Sequence, residues 1–295
     1  YEGNGEYDKA EDCQKKALQI SQIHPAKAHI YNSIGNAFLH NGKYDMAIEY
    51  YKQSLEIFLE NLGERSQDVA TCYSNLGNAY SRKGEGDRTI ELSQKSLTIR
   101  LKILVKRHPD IATSYNSLGN GYENKGEYDK AIKNYKKAFA IYQVTLGTKN
   151  IKAAGSHTDL GDAYFKKGDI KQAFNCYKKD FDISIEVLGK NHSDVAIIYG
   201  NLGNIYLHKR NFDKAIEFYR SSLNIRLQAL GENHPQTASS YAYLGIAHFD
   251  RSDMDQAIIY WEKALAILEG KLPDHPNTEK IRDALHEARQ QRDKS

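Results

Sequence analysis

Asparagine recurs in this 295-residue chain at a fixed interval. Asn36, Asn78, Asn120 and Asn204 lie 42 residues or a multiple of 42 apart, and Asn75, Asn116 and Asn201 stand three or four residues ahead of matching positions. A primary amide offers both donors and an acceptor, so a row of them could hold the alternating N–H and C=O groups of an extended peptide without reading its side chains. Asparagine also competes with a helix for backbone hydrogen bonds, so its repeated mid-helix use carries a local cost that needs a reason. The same amides could instead bond from one helix to the next and tie the structure together; the sequence leaves both uses open. Arg82 and Lys166, four residues beyond the positions of Asn78 and Asp162, could take acidic groups of a ligand.

Other reactive residue types form no constellation. Cys13, Cys72 and Cys176 share no metal-binding or redox spacing and read as small packing residues. His24, His108, His192, His234 and His275 fall in connections between helices, spread along the chain where they cannot converge on a metal or a substrate. No phosphate-binding loop, nucleophile elbow or metalloprotease motif occurs; the glycine-rich "GNGYENKG" exists only because two repeat glycines bracket it. The expectation is therefore a non-enzyme with no cofactor. Lys and Arg total 41 against 38 Asp and Glu, spread evenly, which argues against nucleic acid because phosphate binding needs a concentrated basic stripe. No apolar run approaches the roughly 20 residues of a membrane span, and no leader pattern opens the chain, so no membrane insertion and a cytoplasmic location are expected.

The element that must position the asparagines is an internal repeat. Gly35, Gly77, Gly119, Gly161, Gly203 and Gly245 are each 42 residues apart. An aliphatic residue precedes every one, and rings or a histidine stand four before and three after. Offsets of three, four and seven mark one helix face. Glycine in a helix interior costs about 1 kcal/mol relative to alanine, so its recurrence implies that a second helix approaches closely. Twelve residues on stand Ala47, Thr89, Ala131, Ala173, Ala215 and Ala257, on second helices that open with "KYDMAIEYY" or "EYDKAIKNY". The close approach is expected between these small residues and the glycines. Sixteen of the 21 tyrosines occupy four repeat-defined offsets, which assigns the tyrosine excess to packing rather than to base or sugar stacking.

Gly42, Gly84, Gly126 and Gly168 end first helices in positive φ, while Arg210 and Ser252 replace that glycine and predict strained or differently shaped turns. The pattern resembles the tetratricopeptide repeat, a helix-turn-helix unit, over nearly the whole chain. The long period, with "LGKNHSDVA" between units, is similar to the kinesin-light-chain subtype, and "YSNLGNAY" is similar to Pins-type adaptors. The resemblance implies an all-α, right-handed superhelical solenoid of antiparallel helix pairs with the first helices lining a concave groove. It also implies that Asn75, Asn78, Asn116, Asn120, Asn201 and Asn204, with Asn36, clamp a protein or peptide ligand. The basic residue that chaperone-binding members place three before the glycine is missing.

By this reading residues 1–22 are a truncated half-repeat, 23–272 are six units, and 273–295 are a capping helix and charged tail. An uncapped first unit would allow self-association by end stacking, as an alternative to peptide binding. Gly86, Thr89 and Ser93 predict that the second helix of the second unit is the loosest; Asp180, on a close-packed seam, is expected to reach solvent. Phe165, Leu207 and Phe249 are expected to form apolar ligand pockets.

Overall fold

A computed structural model describes residues 24–271 and 276–293. These residues form thirteen α-helices and no strand. The chain divides after Lys167 into two units. Unit 1 contains α1 (His24–His40), α2 (Tyr44–Leu62), α3 (Gln67–Arg82), α4 (Gly86–Ile103), α5 (Pro109–Asn124), α6 (Tyr128–Leu146) and α7 (Ile151–Lys167). Unit 2 contains α8 (Ile170–Leu188), α9 (Ser193–His208), α10 (Phe212–Leu230), α11 (Pro235–Asp250), α12 (Met254–Lys271) and α13 (Pro276–Arg292). Within each unit, helices pack on their chain neighbours as hairpins stacked on hairpins. The half-repeat expected over residues 1–22 lies outside the described residues.

Local sequence sets the helix ends. His108, His192 and His234 cap α5, α9 and α11: each Nδ1 accepts the backbone N–H two residues on at 3.2 Å. The linker histidines that the structure describes in detail are thus structural, as the sequence implied. The turns inside the helix pairs keep one shape throughout. Arg210 and Ser252 adopt φ of 56° and 66°, the left-handed region that Gly42, Gly84, Gly126 and Gly168 occupy elsewhere. Those two turns are therefore strained and not reshaped. Arg210→Gly and Ser252→Gly should each raise stability in urea denaturation by about 1 kcal/mol, the usual cost of a left-handed non-glycine residue.

The close approach within each pair is more specific than small residue against small residue. A Cβ on Gly35, Gly119 or Gly203 would lie 2.5, 2.3 or 2.4 Å from the ring of Tyr51, Tyr135 or Tyr219. At Gly245 the ring is that of Trp261, at 2.4 Å. Each glycine is the seat of an aromatic ring from the second helix. Gly77 differs, because Ser93 replaces the ring. The helix bearing Ser93, α4, closes on α5 at Gly86 and Gly121, where a Cβ on Gly86 would meet the Gly121 carbonyl at 2.8 Å.

Polar groups stitch successive pairs. Lys83–Asp45, Lys125–Asp87 and Lys167–Asp129 pair at 2.6, 2.5 and 2.6 Å, and Arg251–Asp213 repeats the tie at 3.0 Å. The equivalent positions in unit 2 hold Lys171 and Lys209, and Lys209 lies over the Phe174 ring instead. Ser54 and Ser222 donate to the carbonyls of Ala28 and Ala196 at 2.8 and 2.7 Å. Arg100 and Arg226, buried at the same seam, donate through Nη1 to the carbonyls of Asp110 and Gln236, each at 2.8 Å. Asp180 does not reach solvent: it is 3 % exposed and accepts the Ser184 hydroxyl at 2.8 Å, because the seam closes over it. Helix α13 covers the end of unit 2 with Ile281, Leu285 and Ala288.

Candidate functional site

The same packing places the asparagines. The hydroxyls of Tyr51, Tyr135 and Tyr219 pass over the glycines and donate to Oδ1 of Asn36, Asn120 and Asn204, each at 2.7 Å. Burial pushes all three phenols well above their ordinary pKa, so they remain protonated donors. Each asparagine therefore turns its oxygen toward the second helix and leaves its Nδ2 donors uncommitted among the described residues. The face beside these glycines presents N–H groups to whatever lies against it.

Asn78 is the exception. Ser93 stands where a tyrosine would reach it, and both ends of its half-buried amide are uncommitted among the described residues. Asn75 and Asn116 bond between successive first helices. Asn75 donates to Asn32 Oδ1 at 3.1 Å, and Asn116 donates to Asp159 Oδ2 at 3.2 Å. Asn32 in turn donates toward Cys72 Sγ at 3.5 Å, a thiol that burial raises to about 11. Asn201 is half-buried on α9. Lys166 pairs with Glu123 at 2.7 Å, which also takes part in the Tyr135 hydroxyl contact at 3.0 Å. Arg82 is exposed at the end of α3 with no ion pair among the described residues.

Leu207 and Phe249 are half-buried and pack against clusters that include Tyr219 and Leu244, and Trp261 and Leu265, respectively. Among the described residues, the exposed large apolar side chains on first helices are Ile197, Tyr243 and Ile246. Tyr243 and Ile246 hold the positions that Asn75 and Asn78 hold in the second 42-residue repeat, and Tyr243 stacks on Tyr219 at 5.4 Å. The loss of asparagine at those positions was the signal in the sequence. Among the described residues no group of three or more metal-ligating side chains is suited to hold an ion, and no helix is long and apolar enough to cross a membrane.

The tetratricopeptide-repeat family model matches residues 1–60, 26–102, 68–143, 110–186, 152–228 and 194–270, in overlapping pairs that run almost end to end. The chain is a tetratricopeptide-repeat protein. Solved structures agree in fold. BtubC (BKLC) from P. vanneervenii superposes with a TM-score of 0.60 at 20% identity, covering 80% of this chain and 92% of its own. A kinesin light chain with nearly identical TPR-like repeats from Podosopora anserina gives 0.57 at 21%, covering 70% and 98%. A Rap protein complexed with Competence and Sporulation Factor gives 0.68 at 14%, covering 94% and 78%. Comparison with curated proteins finds no match. The identities establish shared architecture only, so the function of this TPR protein must be argued from its own residues.

Proposed function

We propose that this TPR protein is a non-enzymatic interaction module, an adaptor or scaffold that holds an extended segment of a partner protein against its first helices. The observation that carries the reading is the orientation of Asn36, Asn120 and Asn204. Each oxygen is engaged by a tyrosine hydroxyl at 2.7 Å, so the chemistry left to a ligand is amide donors suited to backbone carbonyls, from Asn36 and Asn120 in unit 1 and from Asn204 in unit 2. Asn78 adds an amide able both to donate and to accept. Arg82 supplies a cation for acidic ligand groups; Lys166 does so less readily, since Glu123 holds it. Asn75 and Asn116 contribute mainly by fixing the spacing of the first helices. The Rap protein that shares the fold was solved complexed with a factor, which is consistent with a binding role. The alternative, end stacking through residues 1–22, rests on residues outside those described.

A peptide array supplies the binder, and two variants separate ligand contact from structural support. Asn78→Ala should weaken the best array peptide about tenfold, the worth of one or two hydrogen bonds, with the melting temperature unchanged. Asn204→Ala should lower stability by about 1–3 kcal/mol, because it leaves the buried Tyr219 hydroxyl without its acceptor. Array binders that all hold Asn78→Ala as tightly as the wild type would refute the reading.

A further inference from the structure

Unit 1 exposes its large apolar side chains on the second helices and the loop after α4, notably Met46 and Leu62 on α2, Leu101 on α4 and Val144 on α6. In unit 2 Ile197, Tyr243 and Ile246 stand on first helices, and Val187 and Ile259 on second helices. An open groove of about 460 Å³ runs between α4 and α6, floored by Leu97, Tyr115, Leu118 and Tyr122. Its far rim is Lys130, Lys133 and Lys137, one face of α6. Lys130 and Lys137 lie over the Tyr122 and Tyr115 rings at 5.4 and 4.9 Å, while Lys133 has no ion-pair partner among the described residues.

The repeat allows a position-by-position comparison across this wall. Where α6 carries Lys130, Lys133 and Lys137, α2 carries Met46, Glu49 and Gln53, followed on the same stripe by Glu56 and Glu60. Those three glutamates are exposed and make no ion pair among the described residues. One edge of the wall is acidic, the other is basic and grooved, and α4 between them holds an internal Glu91–Lys95 pair. We propose that two copies of the chain associate through the second-helix walls of unit 1, with α2 of one copy seated against α6 of the other. A two-fold axis lying across the helices would set α2 on α2 and α6 on α6, like charge against like. An axis running along α4 sets α2 on α6 twice, with Glu49 facing Lys133, and Glu56 near Lys137. The charge pattern selects the second axis. Met46 and Val144 are covered in the same contact. This assembly leaves the first-helix face free and does not depend on the peptide-binding reading.

Sedimentation velocity on the full chain at about 25 mM and about 0.5 M salt tests the proposal, because exposed charge pairs are strongly screened at the higher value. At low salt the mass should rise with concentration from 33.5 kDa toward the dimer, and high salt should weaken association about tenfold or more. Lys133→Glu with Lys137→Glu, and separately Glu49→Lys with Glu56→Lys, should each give monomers. Mixing the two variants, or combining all four changes in one chain, should restore association. Far-UV circular dichroism checks that the variants fold; if either does not, the alanine substitutions at the same positions carry the test. A monomer at low salt throughout, or an association that charge reversal leaves intact, would overturn the proposal.

Discussion

Gly119→Ala should destabilise unit 1 by about 3 kcal/mol in urea denaturation, a fall of roughly 6–12 °C in melting temperature. On helix propensity alone the change should help, since alanine is favoured over glycine by about 1 kcal/mol. Geometry reverses the sign. The new Cβ would fall 2.3 Å from Cε1 of Tyr135, a ring buried to 1 % exposure whose hydroxyl is tied to Asn120. The ring cannot swing aside without breaking that bond and opening the pair. Gly155→Ala is the matched control. It too lies inside a helix of unit 1 but has open space around it, and should gain up to about 1 kcal/mol. Equal effects at the two sites would mean that the ring-on-glycine contact does not hold the pairs together.

Arg100 should show the opposite of what its charge suggests. Arg100→Ala should cost about 3 kcal/mol through the void it leaves, whereas Arg100→Leu should fall within about 1 kcal/mol of the wild type. The guanidinium is 4 % exposed, its Nε has no partner, and burial lowers its pKa. Among the described residues no carboxylate bonds to it, and Nη1 reaches the Asp110 carbonyl and the Ser114 hydroxyl. Ser114 keeps Ser96 and the Asp110 carbonyl as partners when the arginine goes. Three of the five other copies fill this position with Phe58, Tyr142 and Leu268, the others having Ser184 and Arg226, so the seam accepts apolar bulk there. Chemical denaturation of both variants decides the matter: a loss of about 3 kcal/mol in the leucine variant would show that the charge itself stabilises the seam.

The sequence made the repeat legible because glycine is costly inside a helix and its six-fold recurrence has few explanations. The helix pairs, the turn glycines and the histidine connections follow from period and capping chemistry. What the glycines receive was not legible from spacing alone. Tyr51, Tyr135 and Tyr219 were visible as packing residues, but their hydroxyls travel through the pair to the far side, and only the folded geometry links position 51 to position 36. That link divides the asparagines into those held through their oxygen, the pair-to-pair ties at Asn75 and Asn116, and the uncommitted Asn78. Arg100 and Arg226 escaped notice because arginine is ordinarily a surface residue, although their spacing of three repeats was a signal. Asp180 misled for the same reason.

The most direct test follows the asparagine side-chain amides themselves. In protein labelled with ¹⁵N at asparagine, an array-selected peptide should shift the Nδ2 resonances of Asn36, Asn78, Asn120 and Asn204 in whichever unit it occupies. Those of Asn61 and Asn134, bonded to backbone carbonyls of the second helices, should stay in place. A saturating peptide that leaves every first-helix amide unmoved and shifts only second-helix resonances would contradict the account.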